Sequence, residues 1–406
     1  MKETGKMKKF GSIFLASTML AGVLAGCSSD GGSDSSTGGS GSGNVAEGDT
    51  IKIGANLELS GNVASYGSSI GDGVNLAVEE INAAGGINGK KIELVTVDNK
   101  SENAEATTAA IRLAEQEKVV AMIAPATSGN TVATVQIANN NKIPIITASG
   151  TAPNVTENAD GSINEYAFRT CFIDPFQGTV AANFATSDLG AKNVAIFADN
   201  ASDYAKGLAA SFKETLEANG GKVVIEEAYV AKDVDFKSQL TNIRGKNPDF
   251  IFIPGYYEEV GLIVKQAREL GITAPLMGAD GWDSPTLVEL AGADALNNTF
   301  ITNHYSSEDP EATIQEFVKA FEAKYSKAPN AFHALGYDTV YYLADAISRV
   351  EGDITGEAIK DQLAATKDLS LITGTFSVDE KHNPVKSATV LEFKDGNQVF
   401  NSKVNP

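Results

Sequence analysis

Ile51-Lys-Ile-Gly-Ala-Asn56, the run Gly71 to Ala83, the turn Ala84-Gly85-Gly86 and then Lys91-Ile-Glu-Leu-Val-Thr-Val97 carry the fold in miniature. The outer pieces are short and rich in β-branched residues, as strands are. The middle piece places Val74, Ala77, Val78 and Ile81 on one face at helical spacing. It ends in glycine, which takes the left-handed turn that closes many helices. Strand, helix, strand over this length reads as a crossover between parallel strands.

The same unit recurs along the chain. Further strand-like runs are Val119-Val-Ala-Met-Ile123, Ile143-Pro-Ile-Ile146, Val194-Ala-Ile-Phe197, Val223-Val-Ile-Glu226, Phe250-Ile-Phe-Ile253 and Pro275-Leu-Met277. Helical patterns alternate with them at Thr107 to Gln116, Thr131 to Asn139, Leu208 to Ala218 and Val260 to Leu270, with Ile314 to Tyr325 and Gly336 to Val350 beyond. Near-continuous apolar strands between helices imply parallel sheets covered on both faces. One series lies before about residue 170 and one after it, predicting an α/β protein of two doubly wound lobes. Ligands of such sheets sit at the carboxyl ends of the strands, here the cleft between the lobes.

The amino-terminal end points to export. Lys2, Lys6, Lys8 and Lys9 precede the apolar stretch Phe10 to Val23 and the small residues Leu24-Ala25-Gly26. This is the layout of a signal peptide over residues 1–26, with Met7 a second possible start. The apolar stretch is too short to span a bilayer well. Residues 27–49 are dominated by glycine and serine and read as a tether reaching about 25 Å. The hydrophobic fraction of 42% is ordinary for a globular body. The formal charge of −20 argues against nucleic acid or an anionic membrane surface as partner. Beyond Cys27 the only cysteine is Cys171, a small buried hydrophobe by this reading, so the body must be held by its cores rather than by an intrachain disulfide.

Enzyme signatures do not emerge. There is no Gly-x-Ser-x-Gly elbow. Gly85-Gly86-Ile-Asn-Gly89 lacks the lysine and serine of a phosphate loop and reads as a helix cap and turn. His304, His333 and His382 lack metal-ligand spacing and are expected at the surface or in structural roles. No cofactor or metal is called for.

A resemblance now becomes visible. Ser60-Gly-Asn-Val-Ala-Ser-Tyr-Gly67, Asn82-Ala-Ala-Gly-Gly-Ile-Asn-Gly89, Pro144-Ile-Ile-Thr-Ala-Ser-Gly-Thr-Ala-Pro153, Phe168-Arg-Thr170, Pro254-Gly-Tyr256 and Met277-Gly-Ala-Asp280 occur in order. Over residues 51 to 400 the chain resembles the leucine/isoleucine/valine-binding proteins of ABC importers, which have the type I periplasmic-binding-protein fold. Leu24-Ala25-Gly26-Cys27 resembles the bacterial lipobox, implying a lipidated Cys27 at the outer face of the cell membrane. The resemblance implies lobes of 51–170 with 304–373 and of 171–303 with 374–406, crossed three times near residues 171, 303 and 374. It also implies a monomer whose closed face is read by ABC permease subunits.

The resemblance further implies a site. The carboxylate loop falls on Ala126, Thr127 and Ser128, ahead of a helix whose free N–H groups favour an anion. Ser149 and Thr151 form a second element for the carboxylate and ammonium. Tyr66, Tyr204 and Tyr256 wall the cleft, Asp280 meets the ammonium, and Phe332 packs near the aliphatic side chain. Asp280 stands where these relatives carry glutamate, and Trp282 where a small aliphatic is expected, which would narrow the pocket. Thr127 replaces one cysteine of the family's disulfide. A zwitterion in a partly dry cleft needs donors at one end and an acid at the other. The ligand so implied is a branched-chain or other small aliphatic amino acid; the alternative is another amino acid or a small amide such as urea.

Overall fold

In a computed structural model, described over residues 44–46 and 48–405, the chain builds two sheets of matching topology. The first runs β1 (Thr50–Leu57), α1 (Ala64–Ala83), β2 (Lys91–Asp98), α2 (Asn103–Ile111), β3 (Ala121–Ala124), α3 (Ser128–Asn141), β4 (Ile145–Thr147) and β5 (Ala167–Arg169). The second begins with α4 (Asp174–Asn183), β6 (Asn193–Asp199), α5 (Asp203–Ala218), β7 (Lys222–Tyr229) and α6 (Lys237–Gly245). It continues through β8 (Phe250–Phe252), α7 (Tyr257–Glu269), β9 (Leu276–Gly278), α8 (Pro285–Ala291), α9 (Ala293–Leu296) and β10 (Thr299–Asn303).

Strand order is β2-β1-β3-β4-β5 in one sheet, and β7-β6-β8-β9-β10 forms the parallel part of the other. In each the chain steps outward once and then reverses, leaving a switch point beside the first strand where loops diverge and a crevice opens. The central strands β3, β4, β8 and β9 are buried along their whole length, as double-sided cover requires.

After β10 come α10 (Ala312–Tyr325), α11 (Ala331–Ser348) and α12 (Gly356–Ala364). Helix α11 lies against α1. A Cβ on Gly73 would stand 2.0 Å from the His333 carbonyl oxygen, and one on Gly336 2.4 Å from that of Ile70. Only glycine allows so close a crossing. A small antiparallel sheet follows, made of β11 (Leu369–Leu371), β12 (Gly374–Val378) and β13 (Pro384–Val385). The chain then returns to the second sheet as antiparallel β14 (Ala388–Lys394) and β15 (Asn397–Val404).

Residues 1–43, where the sequence places a signal peptide, Cys27 and most of a tether, lie outside the described residues. The end of the tether departs from expectation. Asn44 Nδ2 donates to the Ala114 and Val119 carbonyls, each at 2.9 Å, and Ala46 N–H donates to the Ile354 carbonyl at 3.0 Å. These amides find acceptors on the folded body, so the body begins ahead of Thr50. No helix among the described residues is long and apolar enough to cross a membrane.

Candidate ligand-binding site

The carboxyl ends of the two sheets face a shared, narrow cavity. Tyr66, Ala126, Thr127, Ser149 and Phe332 line it from the first sheet and its helices, and Tyr204, Tyr256, Asp280 and Gly281 from the second. Most of them sit just past the carboxyl end of a strand or in the first turn of a helix. Ala126 and Thr127 follow β3, Ser149 follows β4, Tyr256 follows β8 and Asp280 follows β9. These are the positions the switch points expose.

Direct bonds join the two sides. Tyr66 Oη donates to the Gly281 carbonyl and accepts from Tyr257 N–H at 3.3 Å. Tyr257 Oη donates to the Asn62 carbonyl at 2.9 Å, and the Ser65 and Ser284 hydroxyls meet at 2.7 Å. Tyr66 stacks on Phe332 with ring centroids 4.5 Å apart, and Tyr204 on Tyr256 at 5.1 Å. Burial pushes the phenols of Tyr66, Tyr204 and Tyr256 well above their ordinary range, so they stay neutral donors.

On the second sheet's side Asp280 is buried and held from three directions. Its Oδ1 accepts from Tyr204 Oη at 2.7 Å and Gln177 Nε2 at 3.0 Å, and its Oδ2 lies 3.3 Å from His304 Nε2. His304 is stacked on Phe172 at 3.6 Å. Burial depresses its pKa, while Asp280 pushes the other way. A carboxylate acceptor places the ring hydrogen on Nε2, and His304 Nδ1 makes no hydrogen bond. Close by, Asp174 opens α4, fully buried, with the Thr151 hydroxyl as the one side chain that favours its charged form by hydrogen bonding. Burial raises its pKa well above the carboxylate range, with Asp280 adding to the rise. The Thr151 contact falls short of full hydrogen-bond geometry, and no other protein group bonds the Asp174 carboxyl.

The first sheet's side supplies donors, but not all are free. Ala126 N–H and Thr127 N–H donate to Glu58, at 2.8 Å and 3.2 Å. Thr127 Oγ1 and Asn130 Nδ2 donate to the same carboxylate at 3.1 Å and 2.8 Å. The first intrahelical bond of α3 is Thr131 N–H to the Thr127 carbonyl, so the amides of Ser128, Gly129 and Asn130 have no carbonyl within the helix. Ser149 Oγ donates to the Ala126 carbonyl at 2.8 Å, and Ser128 Oγ accepts from Ala152 N–H at 3.1 Å. Arg169, fully buried, clamps the 150–152 loop by donating to the Gly150 and Ala152 carbonyls at 2.8 Å and 3.0 Å.

Of the residues singled out in the sequence, Tyr66, Ala126, Thr127, Ser149, Tyr204, Tyr256, Asp280 and Phe332 meet at the cavity. Ser128 and Thr151 are buried just behind its wall. Trp282 does not narrow the pocket. Its indole is fully buried behind the site loop, donates to the Ile253 carbonyl at 3.0 Å and packs against Gly278. The histidines are all buried rather than at the surface. Glu58, Asp174, Gln177 and His304 were not singled out as site residues. Asp174-Pro175 reads only as a helix start, and Glu58 as the last acid before a turn; neither signals burial. Cys171 is a buried free thiol as expected, and no cluster of metal-type ligands occurs among the described residues.

The chain is similar to known proteins along most of its length. Residues 50–398 match the family model described as periplasmic binding protein. The leucine-, isoleucine-, valine-, threonine- and alanine-binding protein of Pseudomonas aeruginosa is 30% identical over 82% of this chain and 87% of its own. The branched-chain amino acid transporter substrate-binding protein LivJ of Streptococcus pneumoniae, solved in complex with isoleucine, superposes with a TM-score of 0.82 at 42% identity. That match covers 88% of this chain and 100% of LivJ. The leucine-binding protein LivK of Thermotoga maritima gives a TM-score of 0.83 at 36% identity, over 88% of this chain and 99% of LivK.

Proposed function

The chain belongs to the periplasmic binding protein family, and from that membership we propose that it is the extracytoplasmic solute-binding protein of an ABC importer for a branched-chain amino acid. The observation that carries the reading is the pairing of opposite needs across one closed cavity. The buried acid Asp280 lines one side, with the weakly satisfied Asp174 near it, and the amide-rich start of α3 lies behind Ala126 and Thr127 on the other. A solute without both an ammonium and a carboxylate leaves at least one of these needs poorly met; an α-amino acid answers both.

Asp174 and Asp280 receive the ammonium, with the Thr151 hydroxyl beside it. The amides of Ser128 and Gly129 receive the carboxylate, aided by the positive end of α3. Tyr66, Phe332 and Tyr256 give the aliphatic side chain apolar area. The two sheet layers act as lobes, 51–170 with 304–373 and 171–303 with 374–406. The ligand touches both and so favours their closure. Permease subunits then read the closed face of a monomer, which a lipidated Cys27 holds at the membrane.

Calorimetric titration with leucine, isoleucine, valine, alanine, leucinamide and urea tests this. Saturable binding of the branched-chain acids, with leucinamide and urea far weaker, is expected. Equal binding of an amide, or none of the amino acids, would overturn the assignment.

A further inference from the structure

Glu58 places an ionisable side chain, itself fully buried, at the end of the helix that should receive the ligand's own carboxylate. We infer that Glu58 is a positioning residue: an internal carboxylate that fixes the Ala126–Asn130 turn and occupies the amides of Ala126 and Thr127, so that the next amides, beginning with Ser128 and Gly129, remain for the ligand. The inference rests on the amino-acid reading above.

The geometry supports a positioning role. Glu58 stands one residue beyond β1, and β3 is the adjacent strand, so the carboxylate crosses from one switch-point loop to the other. It takes four donors of the opposite loop: two backbone amides, the Thr127 hydroxyl and the Asn130 amide. Charge-assisted bonds of this kind are about twice as strong as neutral ones. Thr127 is the N-cap of α3, yet its own side chain caps nothing in the helix; its hydroxyl serves Glu58 instead. The turn is therefore set by the Glu58 side chain. Glu58 is itself anchored, because α1 packs on its backbone: a Cβ on Gly67 would lie 2.2 Å from the Glu58 carbonyl oxygen.

Glutamine separates this role from plain structural support. In Glu58→Gln the side chain keeps its volume, but its NH₂ must face a backbone N–H that Glu58 now accepts from. The turn then loses one bond and shifts at the carboxylate end of the site, while the side-chain walls at Tyr66 and Phe332 stay as they are. Leucine affinity should fall about tenfold, equivalent to about 1.4 kcal/mol. Leucinol, which keeps the ammonium and side chain but has no carboxylate, should lose far less, so the leucine-to-leucinol affinity ratio falls. The order among leucine, isoleucine and valine should not change. Titration calorimetry on the full chain reads all of these.

If Glu58→Gln does not fold, Asn130→Ala removes one donor to the same carboxylate and should give the same pattern with smaller amplitude. A parallel loss for leucine and leucinol, unchanged leucine affinity, or tighter binding would overturn the inference. Failure of the amino-acid reading itself is distinct, because it appears as no leucine binding by the unaltered protein.

Discussion

Tyr204 Oη donates to Asp280 Oδ1 at 2.7 Å and at the same time accepts from the Gly281 N–H at 2.9 Å. One phenol thus sets both the carboxylate and the backbone of the loop that carries it. The Tyr66 hydroxyl reaches the other face of that loop, at the Gly281 carbonyl. The acid proposed to meet the ligand ammonium is therefore held in place by the protein itself.

Tyr204→Phe keeps the ring and its stacking on Tyr256 but removes a donor and an acceptor. A buried amide and a buried carboxylate each lose a partner. Net hydrogen-bond values of about 1–2 kcal/mol predict leucine binding weakened roughly tenfold. Titration calorimetry checks this, and an affinity equal to that of the unaltered protein would take Tyr204 out of the site. Asp280→Ala removes the acid itself and should cost about 2–4 kcal/mol of binding.

Asp174 gives binding a pH dependence whose sign follows from its surroundings. Burial holds its carboxyl well above the ordinary range in the free protein. A ligand ammonium favours the charged form, so binding expels a proton. Affinity should therefore rise with pH and level off once the free protein's Asp174 has itself ionised. Asp174→Asn should weaken binding and flatten that slope. Calorimetry in two buffers of different ionisation heat measures the released proton, and its absence would show that Asp174 does not meet the ammonium.

Trp282 is the chain's single tryptophan, and it stands two residues past Asp280 without touching the cavity. Trp282→Phe should cost about 1–3 kcal/mol of stability, because the Ile253 carbonyl loses its donor and part of the core empties. The order of preference among leucine, isoleucine, valine and alanine should be that of the unaltered protein. Denaturant unfolding and competition titrations check the two halves, and a changed order would make Trp282 a reader of the side chain.

The glycine crossing of α1 and α11 makes a prediction for the fold alone. Gly73→Ala puts a methyl 2.0 Å from a carbonyl oxygen, which the backbone can relieve only by moving one helix. Overpacking of this kind costs about 1–3 kcal/mol. Thermal unfolding should show the loss, with binding at low temperature little affected.

The alternation of strands and helices was legible wherever strands are buried on both faces. The runs at Val119 to Ile123 and Phe250 to Ile253 are apolar throughout because nothing wet touches them. The carboxy-terminal strands were not. β15 mixes exposed and half-buried positions without regular alternation and carries asparagine, serine and lysine, so no strand period survives in it. β5 spans three residues, too few to show one. In the site, Tyr204 and Asp280 could be placed by resemblance. Asp174 could not, because its importance lies in a buried carboxyl with no more than a marginal contact to Thr151, a property of the folded surroundings and not of Asp-Pro in a sequence.

Lys386 offers a test of the segment between the sheets. It is buried, donating to the Thr170 carbonyl at 3.2 Å and to Thr373 Oγ1. Thr373 in turn donates to the buried Asp338 at 2.6 Å. Burial lowers the lysine pKa from 10.5 to about 8, against the pull of Asp338 and Cys171; Lys403 acts in the same direction as burial. Between those two values the unfolded chain binds the proton more tightly than the folded one, so this group makes stability rise as the pH rises. The slope approaches about 1.4 kcal/mol per pH unit within that window. Lys386→Met cannot titrate, so the stability of the unaltered protein relative to this variant should increase from pH 8 to pH 10. Denaturant unfolding across that range measures the difference. A constant difference would mean that Lys386 keeps its charge in the fold, with Asp338 supplying the compensation through Thr373.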